Sequence, residues 1–254
     1  MYMKKLIIFV LLITCSFSIY SQSSSSNLTD EPNENNSWNF NITPYLFAAG
    51  MEGEISFLSQ SIPVDAQFSD LVDHLSFGAM LNAEANKGKW TIMTDFIYMK
   101  LKNEGTLQNG QGTAKAELEQ IIFELGGGYK FIEEGNFTVD VIAGARFFNL
   151  DNSLTLQEFS ILDKNISFTD PYLGLRYKTH CKKWKHSGRI DLGGFDIGSR
   201  YSWKFNLMLG YDVSKTITLA LGYQGYGVDY REDKNDFKYD IFSGGGVFGL
   251  NFHF

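Results

Sequence analysis

Three sets of residues in this chain carry reactive side chains close enough to act together. Asp70, Asp73 and His74 form the first. An acid beside a histidine is the minimum for general acid–base hydrolysis. His180, Cys181 and His186 form the second, and two imidazoles with a thiol are zinc-ligand types. The third set is spread along the chain. Glu84, Asp95, Glu124, Asp140, Asp191 and Asp212 face Arg146, Arg176, Arg189 and Lys204. The first two sets have plainer readings. An Asp–His pair near a loop is common by chance, and no Gly-x-Ser-x-Gly nucleophile motif accompanies it. The His–Cys–His spacing matches no metal pattern, and Lys178, Lys182, Lys183 and Lys185 surround it, which opposes a cation. The expectation is therefore no enzyme, no catalytic residue, no metal and no cofactor. The third set acquires meaning from the elements that carry it.

Those elements alternate with a period of two, the strand signature. In Trp38–Leu46, Trp38, Phe40, Ile42, Pro44 and Leu46 alternate with Asn39, Asn41, Thr43 and Tyr45. In Phe137–Phe147, Phe137, Val139, Val141, Ala143, Ala145 and Phe147 oppose Thr138, Asp140, Gly144 and Arg146. The same pattern recurs over 77–85, 90–98, 120–129, 170–177, 189–193, 203–212 and 217–224, and over a final run to Phe254. This makes ten strands, or eight or twelve if 50–75 or 186–200 is misread. The ten charged residues of the third set fall on the polar face.

The connections decide between a soluble sandwich and a barrel. Residues 86–89, 133–136 and 213–216 are tight turns. Connections 50–75, 103–115, 151–167 and 230–237 are read as longer polar loops. Alternation of short and long connections suits an up-and-down barrel with two unlike ends, the pattern of transmembrane barrels. Aromatics such as Trp38, Trp90, Tyr98, Tyr129 and Trp203 sit at strand ends, as interfacial girdles do. In lipid an open sheet would leave edge groups unpaired, so closure is required. The expected fold is an all-β, closed antiparallel transmembrane barrel spanning 38–254, with both chain ends periplasmic. Glycines 126–128, 193–194 and 244–246 are expected to bend the wall or admit large interior side chains, and the alternation slips at 244–246, which suggests a bulge.

Residues 1–21 read as a cleaved secretory signal. Lys4 and Lys5 precede the apolar Leu6–Thr14, and small residues near Ser21 offer the cleavage site. The apolar stretch is shorter than a membrane helix requires. A lipoprotein start at Cys15 is disfavoured by Thr14 before it. Residues 22–37 are a polar, flexible tail with almost nothing to bury. The full chain has 22 basic and 29 acidic residues. Removing Lys4 and Lys5 takes the net charge from −7 to −9, which argues against nucleic acid as a partner. It also leaves Cys181 alone, without a disulfide partner within the chain.

Several short segments carry a resemblance. They are 43–46 (Thr-Pro-Tyr-Leu) followed by 50–53 (Gly-Met-Glu-Gly); 63–65 running to 68–71; 87–90 (Lys-Gly-Lys-Trp); 144–146 (Gly-Ala-Arg); 170–174 (Asp-Pro-Tyr-Leu-Gly); and the closing 249–254 (Gly-Leu-Asn-Phe-His-Phe). In this order, over Trp38 to Phe254, the chain resembles the small porin-like outer-membrane β-barrel proteins of Gram-negative bacteria, a largely uncharacterised family. The resemblance implies an outer-membrane location and a lipid-embedded barrel. It also implies an assembly signal at Leu250, Phe252 and Phe254, read by the barrel-assembly machinery. It implies little about chemistry.

Two functional expectations follow. Six acids and four bases on one inner wall must pair, which gives either a polar conduit for small solutes or a salt-bridged plug. The alternative is surface binding or adhesion through outer loops rich in Asp and Glu. Loop 50–75 is expected to hold a small hairpin, 53–57 with 62–66, and a helical turn over Phe68–Leu75 capped by Ser69, serving as a lid or a packed cap.

Overall fold

A computed structural model describes residues 37–57, 60–106, 113–156, 159–232 and 237–254. The expected leader, 1–21, and residues 22–36 of the expected tail lie outside them. Eleven strands are present: β1 (Asn39–Phe57), β2 (Gln60–Ala66), β3 (Leu75–Lys87), β4 (Trp90–Thr106), β5 (Thr113–Glu134), β6 (Phe137–Leu156), β7 (Phe159–Cys181), β8 (Trp184–Gly193), β9 (Tyr201–Asp212), β10 (Ile217–Glu232) and β11 (Phe237–His253). A short helix, α1 (Phe68–Asp73), joins β2 to β3. Every pairing is antiparallel. Ten strands run β1-β3-β4-β5-β6-β7-β8-β9-β10-β11, and β11 pairs back onto β1 to close the ring. Strand β2 stands outside the ring, paired with the far end of β1.

The turns at one end are tight, as Gly88-Lys89 between β3 and β4 and Gly135-Asn136 between β5 and β6 illustrate. The other end differs from expectation. Segments 103–106, 113–115, 151–156, 159–167 and 230–232 are strand, not loop. The β4–β5, β6–β7 and β10–β11 hairpins continue well past the apolar band. Their outer faces turn polar there, so the apolar alternation ends while the backbone ladder does not. The helix also starts earlier than expected. Gln67, not Ser69, is its N-cap, and the Gln67 N–H donates to the Asp70 carboxylate at 3.0 Å. The hairpin of loop 50–75 is present as the end of β1 paired with β2.

The outer surface of the ring is a continuous apolar belt. On β6, Phe137, Val141 and Phe147 are exposed, while Asp140, Ile142 and Arg146 between them and Phe148 just beyond are buried. Ten residue steps from Phe137 to Phe147, each about 3.3 Å and tilted about 40°, cover roughly 25 Å of height. The belt ends at a polar collar. Asn149 donates to Ser167 at 2.7 Å, and Lys100 and Lys102 on β4 pair with Glu117 and Glu119 on β5 at 3.0–3.8 Å. At the turn end, Trp90 packs edge-on to Tyr129, and Trp184 to Tyr211. Among the described residues no helix is long and apolar enough to cross a membrane.

Strand β11 carries no bulge at 244–246. Its register with β1 and β10 is unbroken from Ile241 to Phe248. The apparent slip comes from apolar residues on both faces. Tyr239, Ile241 and Val247 point inward and are buried, while Phe242 packs outside on Trp203.

Gly144 shows what the glycines permit. A Cβ there would lie 2.3 Å from the Leu125 carbonyl oxygen and 2.7 Å from the Tyr172 hydroxyl. A Cβ on Gly126 would lie 2.1 Å from the same hydroxyl. The two glycines form a slot for the buried Tyr172. Gly144→Ala is expected to cost about 1–3 kcal/mol through overpacking. Its urea unfolding midpoint in detergent micelles should fall accordingly, and an unchanged midpoint would show the slot to be slack.

Candidate functional site

The inward faces of the ten strands build one candidate site, the filled lumen. Its central knot holds three acids and three bases. Arg146 on β6 donates from Nε to Glu124 at 2.9 Å and from Nη2 to Asp191 at 2.7 Å. Arg189 on β8 pairs with Asp191 at 2.7 Å and with Glu124 at 2.9 Å. Lys204 on β9 donates to Asp95 at 2.8 Å and to Glu124 at 2.9 Å. Strands β4 and β9 stand five places apart in a ring of ten, so the Lys204–Asp95 bond crosses the full width of the barrel. Arg146 is 0% exposed. Its guanidinium lies 5.3 Å from the Tyr172 ring centre and 5.4 Å from that of Tyr226. The stacked rings add cation–π attraction in a site closed to water.

A second cluster lies nearer the turn end. Arg176 on β7 binds Asp140 at 2.6 Å and reaches across to Glu84 on β3 at 2.5 Å. Lys178 also pairs with Glu84. A third is a single pair, Asp212 with Lys185 at 2.8 Å. Each cluster balances its own charge. Desolvated ions persist only when paired, and each of these has a partner of opposite charge, although Glu124 Oε2, Arg146 Nη1 and Arg189 Nη2 are left without a hydrogen bond.

The structure thus places nine of the ten charged residues read from the sequence in two groups, and Asp212 in a separate pair. Sequence reasoning missed Lys178 and Lys185. Both lie outside the alternating runs 170–177 and 189–193, but β7 runs on to Cys181 and β8 begins at Trp184. It also missed Asp170, which takes the Ser199 N–H at 2.6 Å and the Ser199 hydroxyl at 2.7 Å and so ties the 194–200 loop to the wall. The signal was available, because Asp170 lies on the inward phase of β7.

Two chambers flank the central knot. The chamber on the turn side has a volume of about 720 Å³ and a polar, charged lining that includes Asn41, Glu84, Arg176 and Lys185. The chamber on the hairpin side has a volume of about 610 Å³, and its lining contains no charged side chain. Tyr45 and Tyr226 form the deck between the knot and the apolar chamber. Their hydroxyls donate downward to Asp95 at 2.9 and 3.2 Å, which leaves their ring faces to the apolar side. This apolar half was absent from the sequence reading, which expected a polar interior throughout.

The remaining sets lie elsewhere. Asp70 caps α1, and the His74 ring nitrogen meets the Asp70 backbone oxygen at 2.7 Å, so no carboxylate orients the imidazole. His180, Cys181 and His186 are exposed beside the β7–β8 turn. Leu250 and Phe252 lie at the end of β11 and Phe254 just beyond it, where the Phe254 backbone exchanges hydrogen bonds with Phe40 at 3.0 and 3.1 Å. The adhesion alternative rests on the connections 50–75, 103–115, 151–167 and 230–237, of which 58–59, 107–112, 157–158 and 233–236 lie outside the described residues.

No family model matches the chain, and no curated protein matches it. Solved structures do. The attachment invasion locus protein Ail of Yersinia pestis is 11% identical, with 86% of this chain and 99% of that chain covered and a TM-score of 0.38. The translocator domain of the autotransporter NalP from Neisseria meningitidis is 10% identical, with 87% and 90% covered and a TM-score of 0.44. The P. putida toluene transporter TodX is 10% identical, with 85% and 90% covered and a TM-score of 0.32. The neighbours are Gram-negative outer-membrane β-barrels.

Proposed function

We propose that this chain is an integral outer-membrane barrel whose lumen is closed to free ion flow by its own ion pairs. The belt of exposed leucine, phenylalanine and valine around a closed ring supports the membrane reading, since only a closed sheet satisfies its backbone in hydrocarbon. The turn end is then periplasmic and the hairpin end external. Bilayer lipid is the lasting partner, and β11 with Leu250, Phe252 and Phe254 is the strand that assembly machinery would read. The observation that carries the closed lumen is the Lys204–Asp95 bond spanning the ring, with both groups buried. An ion crossing the deck would have to break that bond in a site with little water to replace it.

Planar-bilayer recording on refolded protein tests this. The wild type is expected to give no single-channel steps in 1 M KCl. Stable, reproducible steps from pure folded barrel would show the lumen to be a conduit and would overturn the closed-lumen reading.

A further inference from the structure

The ring has one incomplete seam. Strand β1 pairs with β3 only over Asn39–Pro44, against Leu81–Asn86. From Met51 onward the same edge of β1 pairs with β2. Between these ladders, Tyr45–Gly50 has a partner on the β11 side alone. Across the gap, β3 residues 75–80 pair only with β4. A window therefore interrupts the wall, with β1 on one side, β3 on the other and α1 above. The chain at Ala66 and Phe68 approaches Gly50 at its upper corner.

The window opens into the apolar chamber. Phe68, Leu71, Val72 and Leu75 from α1 and its exit line that chamber, as do Met80 and Ile97. The same lining includes Leu46, Leu221 and Phe248, which belong to the outer belt. Leu46 is 68% exposed. One apolar surface therefore runs from the lipid face, through the window, into the barrel. The volume of about 610 Å³ lies within the roughly 300–1,000 Å³ usual for small-molecule sites. Methionines at 51, 80 and 99 give the walls an unbranched, adaptable surface. No charged group waits inside to receive a polar head.

We propose that the apolar chamber takes up one hydrocarbon chain of a membrane lipid, entering sideways through the window between β1 and β3. The inference rests on the membrane reading above. The window begins in the external part of the belt, beside Leu46 and Ala79, and rises past the Phe77–Tyr98 aromatic pair to the polar collar at Lys100. The donor is thus a lipid of the external leaflet, with its headgroup left at the surface. The bound chain would cover an opening that otherwise exposes strand edges to the bilayer. Helix α1, which buries none of its own residues, is the lintel beneath which the chain passes.

The test uses full-length barrel in phosphatidylcholine vesicles that contain a phosphatidylcholine with a diazirine near the end of one acyl chain. After irradiation, labelled residues are mapped by mass spectrometry. Label is expected on outward Leu221 and Phe248 and also on inward Ile97, Val228 and Ile241. Ala49→Trp narrows the window from the β1 side, and Met80→Trp fills the chamber from β3. Each is expected to abolish the inward label while the outward label stays, which also reports that the variant is folded and inserted. Outward label without inward label in the wild type overturns the proposal and leaves the membrane reading standing. Inward label undiminished in both tryptophan variants overturns the sideways route. No label on the belt at all overturns the membrane reading, and the proposal with it.

Discussion

Arg146→Leu is expected to destabilise the barrel by about 3–5 kcal/mol, the cost of leaving buried charge uncompensated. Arg146 is the cation shared by Glu124 and Asp191, and nothing near it is free to substitute. Lys204 is already held by Asp95 and Glu124, and Arg189 already serves the same two acids. The leucine variant would leave three carboxylates against two cations in the central knot. The double variant Arg146→Leu, Glu124→Gln leaves Asp95 with Lys204 and Asp191 with Arg189, so it removes the surplus charge and should recover part of the loss. Urea unfolding midpoints in vesicles measure both. A single variant that loses less than about 1 kcal/mol would mean that water reaches the knot freely, as it does in exposed pairs. The same variant bears on the closed lumen, because it vacates a guanidinium that fills the gap between Tyr172 and Tyr226.

Leu173→Arg should cost about 2–4 kcal/mol if lipid surrounds the barrel at that height. Leu173 is 56% exposed and pairs with Ala143, near the middle of the Phe137–Phe147 span. In water such a substitution on an open surface changes stability by only about ±0.5 kcal/mol. The solvent around the belt therefore decides the outcome. Asn149→Arg, in the polar collar, provides the control and should cost about 0–1 kcal/mol. Equal, small effects at both positions would remove lipid from the picture.

The wall was legible in the sequence wherever its two faces differ in polarity. Phe137–Phe147 shows this, with valine and alanine outside and Asp140 and Arg146 inside. Legibility ended where the contrast ended. Beyond Asn149 on β6 the outer face turns polar, so a continuing strand reads as a loop. On β11 the inner face turns apolar at Tyr239, Ile241 and Val247, so an unbroken strand reads as a slip. The charged knot was visible because its members sit on the inward phase of well-marked strands. Its division into balanced clusters was not, since Lys178 and Lys185 lie beyond the residues where the alternation of β7 and β8 shows. The window was invisible for a deeper reason. Whether Tyr45–Gly50 pairs with β3 depends on where β2 and α1 take the chain, and alternation in β1 carries no trace of that.

The seam between β1 and β11 has a bearing on how the barrel is made. Each other junction in the ring joins strands adjacent in the order β1, β3 and onward, and hairpin zipping can build those one after another. Only Asn41 meeting His253, and the pairs beyond it, unite opposite ends of the chain. Closing so long a flexible loop at the outset would forfeit about 5 kcal/mol of chain entropy. Closing it last, on a sheet already curled, spares most of that. Ring closure then becomes the slow, highest-contact-order event of assembly, and the β1 and β11 edges stay available to a chaperone until it happens.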